Sequence, residues 1–297
     1  MYKLLCISLC FVLINVSESN AQDINSLHYC GMDTIAYASH FKGFETEELS
    51  GIEYSGKGIQ YLLMPQSWEK AHIIVCSIDL SKGITVHLDS IIMLPVDAIE
   101  GESIRIDPKD NSIYIAEEAK DTSYIYKLES NKLVKMYKSN GKLRYNSGYE
   151  GLCFDNEGAM YIGLERPLEG NTTKIIRVNS EGEEKTFMYD LDVLENDKKK
   201  DNGISELLSI NDSSLLVVER AFLGKKYGNS VRVYKVGIPS EGNKLVKEKL
   251  LTDFSDAPKI DNIEGVALSP SGKELIFVTD NNGHSYQQTQ FICMKIE

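Results

Sequence analysis

The chain has 297 residues, of which 42% are hydrophobic, and its formal net charge is −12. An acidic surface repels nucleic acid and anionic lipid and favours cations, so this composition argues against nucleic-acid binding. The length allows one large all-β domain or two smaller ones.

The first residues have the layout of a secretory signal peptide. Lys3 precedes an apolar stretch, Leu4 to Val16, and a polar segment with small residues then ends at Ala21. This layout predicts a signal peptide over residues 1–21, with cleavage after Ala21. The apolar stretch is short for a permanent anchor, and no other segment has the length of a membrane span. We therefore expect a single exported domain over residues 22–297, periplasmic or extracellular, monomeric and without an integral membrane segment.

Short strands separated by turns fill the rest of the chain. Runs of β-branched and aromatic residues alternate with turns rich in Asn, Asp, Pro and Gly, and no segment has convincing helical periodicity. The charged segment from Leu191 to Asn202 is interpreted as a solvated loop. The strands predicted outside the repeated motif are 26–37, 73–79, 84–94, 123–128, 133–137, 173–179, 184–191, 230–236, 245–252 and 290–296.

One motif recurs five times along the chain. Each copy has a turn with Glu or Ser, a short apolar strand, a second turn and a second strand, and that second strand ends in an acid in four copies. The copies occupy residues 49–64, 102–117, 149–166, 205–220 and 263–280. Each interval holds four strands, which predicts a β-propeller of four-stranded blades.

The motif spacing also predicts how many blades there are. The intervals of 52, 48, 56 and 58 residues between repeats favour five blades, with six possible if one interval hides two blades. Only three strands follow the fifth motif, so we expect the N-terminal strand to complete the last blade and close the ring.

The repeated polar residues fall into two registers. Strands one and two of a blade are antiparallel, so the start of the first and the end of the second lie at the same face of the ring. The first register is Ser50, Glu102, Glu150, Glu206 and Glu264. The second is Glu117 (with Glu118), Glu165, Glu219 and Asp280, without a counterpart after Met64.

The first register predicts a cation site. Carboxylates at close range repel one another, and a bound hard cation relieves the repulsion. Ligands that are all oxygen favour Ca²⁺, and the lack of His and Cys argues against Zn²⁺. Mg²⁺ is the alternative metal, although it requires a tighter octahedron. The alternative role for these residues is structural: a Glu at the start of a strand accepts backbone N–H bonds and locks neighbouring blades together.

The second register predicts the chemistry. Glu165, Glu219 and Asp280 are the candidate catalytic acids that position water, and Arg166 and Arg220 are the candidate phosphate-binding residues. Because neighbours along a strand point to opposite sides, one member of each Glu-Arg pair is expected at the channel mouth. The alternative is that both arginines form salt bridges with adjacent acids.

Four cysteines follow the predicted cleavage site, and their spacing matches neither a metal site nor a redox pair. A closed ring would bring Cys30 and Cys293 close together, and export permits a disulfide between them. Buried free thiols are the alternative for all four. These cysteines are Cys30, Cys76, Cys153 and Cys293.

At its repeated motifs the chain resembles the phytase-like esterase domain family. The similarity extends from about Glu48 to Asn282 and implies a propeller whose acids serve phosphoester hydrolysis. The chain is also similar to calcium-dependent apyrases, which are five-bladed propellers with a central Ca²⁺ held by Ser and Glu. The segments that carry the resemblance are 49–52, 148–152, 203–208, 216–220 and 262–267.

The apyrase similarity implies ligand positions and one departure. The matching positions leave Ser205 and Glu206 as alternatives in the fourth repeat, and Met64 stands where an acid is expected. The corresponding positions are Ser50, Glu102, Glu150, Ser205 or Glu206, and Glu264.

Together these inferences favour a calcium-dependent hydrolase of phosphate esters, whether monoesters, diesters or nucleotides. The alternative is a non-catalytic binding or scaffold propeller in which Ca²⁺ only makes the ring rigid. A sugar-lactone hydrolase on a similar propeller is a third hypothesis.

Overall fold

The computed structural model describes residues 24–120, 122–199 and 201–297. The predicted signal peptide, residues 1–21, lies outside these ranges. The regular secondary structure of the described residues consists of β-strands, which form five four-stranded antiparallel sheets and one small hairpin. The five sheets are arranged in a ring, so the fold is a five-bladed β-propeller, as the motif spacing predicts.

The strands follow one another blade by blade. Before the first blade come β1 (Leu27–Ile35) and the hairpin strands β2 (His40–Phe41) and β3 (Phe44–Glu45). Blade one contains β4 (Leu49–Tyr54), β5 (Gln60–Pro65), β6 (His72–Asp79) and β7 (Thr85–Met93). Blade two contains β8 (Gly101–Ile106), β9 (Ile113–Ala119), β10 (Thr122–Glu129) and β11 (Lys132–Lys138).

Blades three to five repeat this order. Blade three contains β12 (Tyr149–Phe154), β13 (Met160–Leu164), β14 (Thr172–Val178) and β15 (Glu184–Asp190). Blade four contains β16 (Gly203–Asn211), β17 (Ser214–Phe222), β18 (Asn229–Gly237) and β19 (Val246–Thr252). Blade five contains β20 (Asn262–Leu268), β21 (Glu274–Asp280), β22 (Thr289–Ile296) and the N-terminal strand β1.

The N-terminal strand closes the ring. Strand β1 pairs antiparallel with β22 and becomes the outermost strand of blade five, which confirms the predicted closure. A disulfide between Cys30 and Cys293 joins these two strands. Cys76 and Cys153 are buried free thiols. Both alternatives for the cysteines therefore occur: one pair forms the disulfide, and the other pair consists of buried free thiols.

Apolar side chains fill the space between neighbouring blades. Ile52 and Tyr61 of blade one, for example, pack in one cluster with Ile276 and Phe291 of blade five. Each sheet is covered on both faces by its neighbours, so its inner strands are apolar on both sides. The small hairpin β2–β3 was not predicted from the sequence. Within the described residues no helix has the length and apolar character of a membrane span.

Glycines allow the innermost strands to approach one another closely. A Cβ atom at Gly265 would lie 3.0 Å from the backbone nitrogen of Ile52, and one at Gly51 would lie 2.9 Å from that of Ile104. Neither distance is compatible with a side chain unless the backbone shifts, so only glycine fits. The Gly of the repeated Glu-Gly and Ser-Gly pairs is therefore explained by packing around the axis.

Arg105 fills the central channel beside these glycine contacts. It lies on the innermost strand of blade two and is almost completely buried. Its guanidinium donates hydrogen bonds of 2.6–3.0 Å to carbonyl oxygens on four of the five innermost strands. It also contacts Glu206 Oε2 at 2.8 Å and Glu53 Oε2 at 3.3 Å. The carbonyl acceptors belong to Ile52, Ile104, Leu152 and Leu207.

Candidate functional site

A β-bulge occurs at the same place in all five innermost strands. The pairing between the first and second strand of each blade skips one residue there, and that residue is left unpaired with the second strand. We call these five residues the inner ring. They are Ser50, Glu102, Glu150, Ser205 and Glu264.

A second set of five side chains lies beside the inner ring. Each member lies near the end of the second strand of its blade or directly after it. Its backbone is hydrogen-bonded or paired with the first residue of the innermost strand or with the residue before it. Both sets therefore lie at one face of the propeller, as predicted from the strand directions. We call the second set the outer ring. Its members are Gln66, Glu118, Glu165, Arg220 and Asp280.

The bulges decide which residue of each repeat lies in the inner ring. In blade four the bulge residue is Ser205, so Glu206 is shifted by one position and faces Ser103 and Arg105 in the channel instead. The expectation that Glu206 belongs with the other four residues is corrected accordingly. A shift of one residue along a strand turns the side chain to the opposite side.

The outer ring differs from the predicted second register in the same way. Arg220, and not Glu219, occupies the position in blade four. In blade one the position belongs to Gln66, two residues after Met64, which explains why no acid follows Met64. Glu165 and Asp280 hold the places that the sequence assigned to them.

Glu219 belongs to a buried polar network away from the rings. Its side chain is fully buried and accepts hydrogen bonds from Tyr189 Oη at 2.7 Å and Asn202 Nδ2 at 2.7 Å. It also contacts Lys247 Nζ and the backbone nitrogen of Asp192. Glu219 therefore fastens the loop over residues 191–202 to blade four, and its carboxylate has no room for a substrate.

Three oxygen atoms of the inner ring have no hydrogen-bond partner among the described residues. They are side-chain oxygens of residues that are 5% exposed or less, so water does not reach them freely. Buried polar atoms are nearly always paired, and exceptions mark strain, a ligand or an unplaced water. The three atoms are Ser50 Oγ, Ser205 Oγ and Glu264 Oε2.

Burial raises the pKa of the inner-ring carboxyl groups. The pKa of Glu102 and that of Glu150 lie well above the ordinary range because burial disfavours the ionised form and nearby carboxylates repel it. Glu264 contributes to both shifts. Its own pKa is also raised by burial, although Arg220 opposes the change. The inner-ring carboxyl groups are therefore costly to ionise in this environment, and a bound cation would favour their ionised form.

The outer ring adds further carboxyl groups whose pKa values are raised. Burial raises the pKa of Glu118 to about 7, although the backbone N–H of Gly148 lowers it. Burial raises the pKa of Asp280 to about 8, and the charge of Glu264 adds to the effect. The two rings together carry six carboxyl groups and one guanidinium, so a cation would be electrostatically favoured between them.

The two arginines of the predicted phosphate clamp have different environments. Arg166 contacts Glu165 Oε2 at 2.8 Å and donates hydrogen bonds to Ser147 Oγ at 2.9 Å and to the Asn146 carbonyl at 2.7 Å. It is therefore held by the adjacent acid, as the alternative interpretation proposed.

Arg220 is also paired but keeps one donor. Its Nη2 lies 2.7 Å from Glu264 Oε1 and 3.7 Å from Glu165 Oε1. Its buried Nε has no hydrogen-bond partner among the described residues. Of the two arginines, Arg220 is therefore the one with a donor that no described residue uses.

The motif that forms these rings is also the basis of a family match. The sequence pattern of the phytase-like family, described as "Esterase-like activity of phytase", matches residues 46–283, which include all ten ring positions. The chain belongs to the phytase-like family. No curated protein sequence matches it significantly.

Several solved structures are similar in chain course to this phytase-like propeller. The PQQ-bound aldose sugar dehydrogenase of Streptomyces coelicolor is 12% identical, with 85% of this chain and 80% of that chain covered and a TM-score of 0.48. A putative glucose dehydrogenase of Thermus thermophilus is 9% identical, with coverages of 89% and 99% and a TM-score of 0.48. The allergen Mala s 1 of Malassezia sympodialis is 10% identical, with coverages of 88% and 82% and a TM-score of 0.47. These similarities say nothing about the chemistry of this chain.

The rings of the phytase-like propeller fit a hard cation in chemistry but do not enclose one. No group of three or more His, Cys, Asp and Glu side chains in the described part of the chain is arranged to hold a metal ion. Three neighbours hold the carboxylates instead: Gln66 with Glu102, and Asn262 and Arg220 with Glu264. The unpaired oxygens and the excess of acid are the features that suit Ca²⁺.

Arg105 is the residue of this region that the sequence interpretation missed. It lies three residues after Glu102 on the same strand, with Ile104 and Ile106 on either side. A single charge between apolar neighbours on a buried strand was the available signal, because such a charge must have a partner inside the protein.

Proposed function

We propose that this phytase-like protein is an exported, calcium-dependent hydrolase of phosphate esters. The observation that carries the proposal is the set of buried oxygens without partners among the described residues, Ser50 Oγ, Ser205 Oγ and Glu264 Oε2, within a ring of carboxyl groups. Such oxygen donors suit Ca²⁺, which accepts six to eight of them in adaptable geometry. The predicted signal peptide over residues 1–21 supports export.

The residues proposed to hold Ca²⁺ are those of the inner ring: Ser50, Glu102, Glu150, Ser205 and Glu264. When bound, the ion would supply positive charge that stabilises the negative charge developing on a phosphoryl group. Glu206 is left out of this set because it lies in the channel and contacts Arg105.

The side chains of the outer ring would act on the ester itself. Arg220, whose side chain is 13% exposed, would hold the phosphate through the charge and the hydrogen-bond donors of its guanidinium. Asp280 and Glu165 are the acids at this face that would orient water and accept its proton. The oxygen of water forms a bond to phosphorus and the phosphorus–oxygen bond to the alcohol breaks. The proton that the acid accepted from water then passes to the leaving alkoxide, which departs as the alcohol.

Asp280 and Glu165 differ in their partners. Asp280 accepts one hydrogen bond, of 2.6 Å, from the backbone nitrogen of Asn282. Glu165 contacts Arg166 at 2.8 Å and Arg220 at 3.7 Å. Asp280 is therefore the stronger candidate for the base, and Glu165 the stronger candidate for positioning the arginines.

A panel of phosphate esters tests the proposal. The purified protein is assayed with 4-nitrophenyl phosphate, bis(4-nitrophenyl) phosphate, ATP and inositol hexakisphosphate, with Ca²⁺ and with EDTA. We expect turnover of at least one ester with Ca²⁺ and its loss with EDTA. Asp280→Asn should abolish that turnover, whereas Glu181→Gln, in an exposed turn, should retain it. No turnover of any ester would contradict the hydrolase.

A non-catalytic scaffold or binding propeller is the second candidate. Arg105 favours it, because the channel below the rings is closed by a side chain that binds four of the innermost strands together. A central Ca²⁺ would then add rigidity alone. Melting curves separate the two candidates: a higher melting temperature with Ca²⁺ but no ester turnover supports the scaffold. An identical melting temperature in Ca²⁺ and EDTA would exclude a bound Ca²⁺ from both candidate functions.

A further inference from the structure

A cavity of about 670 Å³ opens beside the rings, between the loops of blades four and five. Its walls come from the loop after β17, the segment before β20 and the loop after β21. Arg220 lines it, so the cavity reaches the outer ring. A volume in this range accommodates a small organic molecule, and inorganic phosphate alone would leave most of it empty.

The cavity is basic although the chain is acidic. Four cationic side chains line it, in a protein whose net charge is −12. The carboxylate of Asp261, which also lines it, lies 3.9 Å from Lys259 Nζ and accepts a hydrogen bond of 2.9 Å from the backbone nitrogen of Gln288. Positive charge concentrated in a concave site attracts anions and repels cations. The four cationic residues are Arg220, Lys225, Lys226 and Lys259.

The cavity is also lined by aromatic rings that the fold does not use. Phe222, Tyr227 and Tyr286 are 40%, 51% and 64% exposed, although large apolar groups are usually covered. The ring of His284 stacks on that of Tyr286, with 4.9 Å between their centroids. Lys226 Nζ lies 4.9 Å from the centroid of the Tyr227 ring. Exposed rings in a concave site are suited to stacking on a flat ligand group.

We propose that the substrate is an aryl phosphate and that this cavity binds its flat aromatic ring together with the phosphate. The aromatic group would stack on Tyr227 and Tyr286, and Lys225, Lys226 and Arg220 would pair with the phosphate. This assignment rests on the proposed function for its link to hydrolysis. It predicts that aryl phosphates are preferred over phosphate esters of aliphatic alcohols and polyols.

Phosphonates separate binding from hydrolysis, because their carbon–phosphorus bond is not a phosphate ester. The binding of phenylphosphonate and methylphosphonate is measured by isothermal titration calorimetry in the presence of Ca²⁺. We expect phenylphosphonate to bind about tenfold more tightly, as one stacked ring would provide. Equal affinities would overturn the proposal, and so would binding of benzyl alcohol as tight as that of phenylphosphonate.

Matched variants assign the preference to the cavity. Tyr227→Ala combined with Tyr286→Ala should reduce the tenfold preference to about threefold or less, because the stacking surfaces are removed. Tyr145→Ala removes a ring that is 79% exposed and does not line the cavity, and it should leave the preference unchanged. An unchanged preference in the double variant would overturn the proposal. All three tyrosines are largely exposed, so the melting temperature should stay near that of the wild type.

Lysine variants test the phosphate part. Lys225→Ala combined with Lys226→Ala should weaken both phosphonates by a similar factor, whereas Lys132→Ala, on blade two, should weaken neither. Unchanged affinities in the lysine double variant would overturn the assignment of the phosphate to this cavity. If the ester panel shows no turnover but these preferences hold, the hydrolase fails and the binding site stands. If esters are turned over with no aromatic preference, the hydrolase stands and the aromatic binding site fails.

Discussion

Replacing Arg105 with methionine should lower the free energy of unfolding by about 3–5 kcal/mol, the usual loss when one partner of a buried ion pair is removed. The side chain is 3% exposed and contacts Glu206, whose own side chain is 0% exposed. The variant leaves that carboxylate without its cation. It also removes the donor from carbonyls of three neighbouring blades, at Ile52, Leu152 and Leu207. A typical domain has only about 5–15 kcal/mol of stability, so the loss is large.

A second substitution shows where this loss comes from. In Arg105→Met combined with Glu206→Gln, the buried negative charge is removed along with its partner. With the amide oxygen at the place of Glu206 Oε1, Ser103 Oγ and the backbone nitrogens of Leu152 and Leu207 can still donate hydrogen bonds to it. The double variant should therefore recover about 1–2 kcal/mol relative to Arg105→Met alone.

Urea unfolding followed by circular dichroism measures both effects, with the midpoint and slope compared among variants. Arg177→Met is the control, because that arginine is 28% exposed and lies 3.4 Å from Asp155 at the rim of blade three. It should cost about 1 kcal/mol or less. A loss below about 1 kcal/mol for Arg105→Met, or no recovery in the double variant, would refute the assignment of Arg105 as the residue that holds the innermost strands together.

Three further predictions concern the rings and the ring closure. Glu102→Gln combined with Glu150→Gln should raise the melting temperature in EDTA, because two buried acids are neutralised. The same variant should lose any stabilisation by Ca²⁺. A rise in melting temperature with Ca²⁺ that persists in this variant contradicts the inner-ring assignment. Native Asp280 has a pKa of about 8 against an ordinary 3.8, so its contribution to stability is present at low pH and lost as the pH rises through 8. In EDTA, Asp280→Asn should flatten the dependence of the melting temperature on pH over this range. A profile parallel to that of the wild type would contradict this prediction. Cys30→Ser combined with Cys293→Ser should lower the free energy of unfolding by about 2–5 kcal/mol in urea without reductant, and the wild type should match it in dithiothreitol.

The predicted strands agree closely with the structure because their signals are local. The segments 73–79 and 290–296, for instance, correspond to His72–Asp79 and Thr289–Ile296. β-branched residues and turn residues mark such strands wherever they stand in the fold. The hairpin His40–Phe41 and Phe44–Glu45 was missed because two-residue strands carry too little pattern to detect.

The site was predicted less completely, since it depends on single-residue register. The sequence pointed to Glu206 and Glu219, whereas the rings contain Ser205 and Arg220. The bulge in β16 leaves Ser205 unpaired and turns Glu206 away, and the pairing of β17 with β16 places Arg220 opposite Gly203. Bulges follow from pairing with the second strand and leave no reliable mark on the sequence.

The sequence alone determined a five-bladed propeller, closed by its N-terminal strand, with a polar face formed at the strand ends. These features follow from counting strands and from the direction of antiparallel pairs, and both are properties of neighbours in the chain. Only the tertiary structure decided that Arg105 fills the channel, that Arg220 lies among the acids and that a basic aromatic cavity adjoins them. Those contacts join residues of different blades, and their partners are set by how closely the blades pack around the axis.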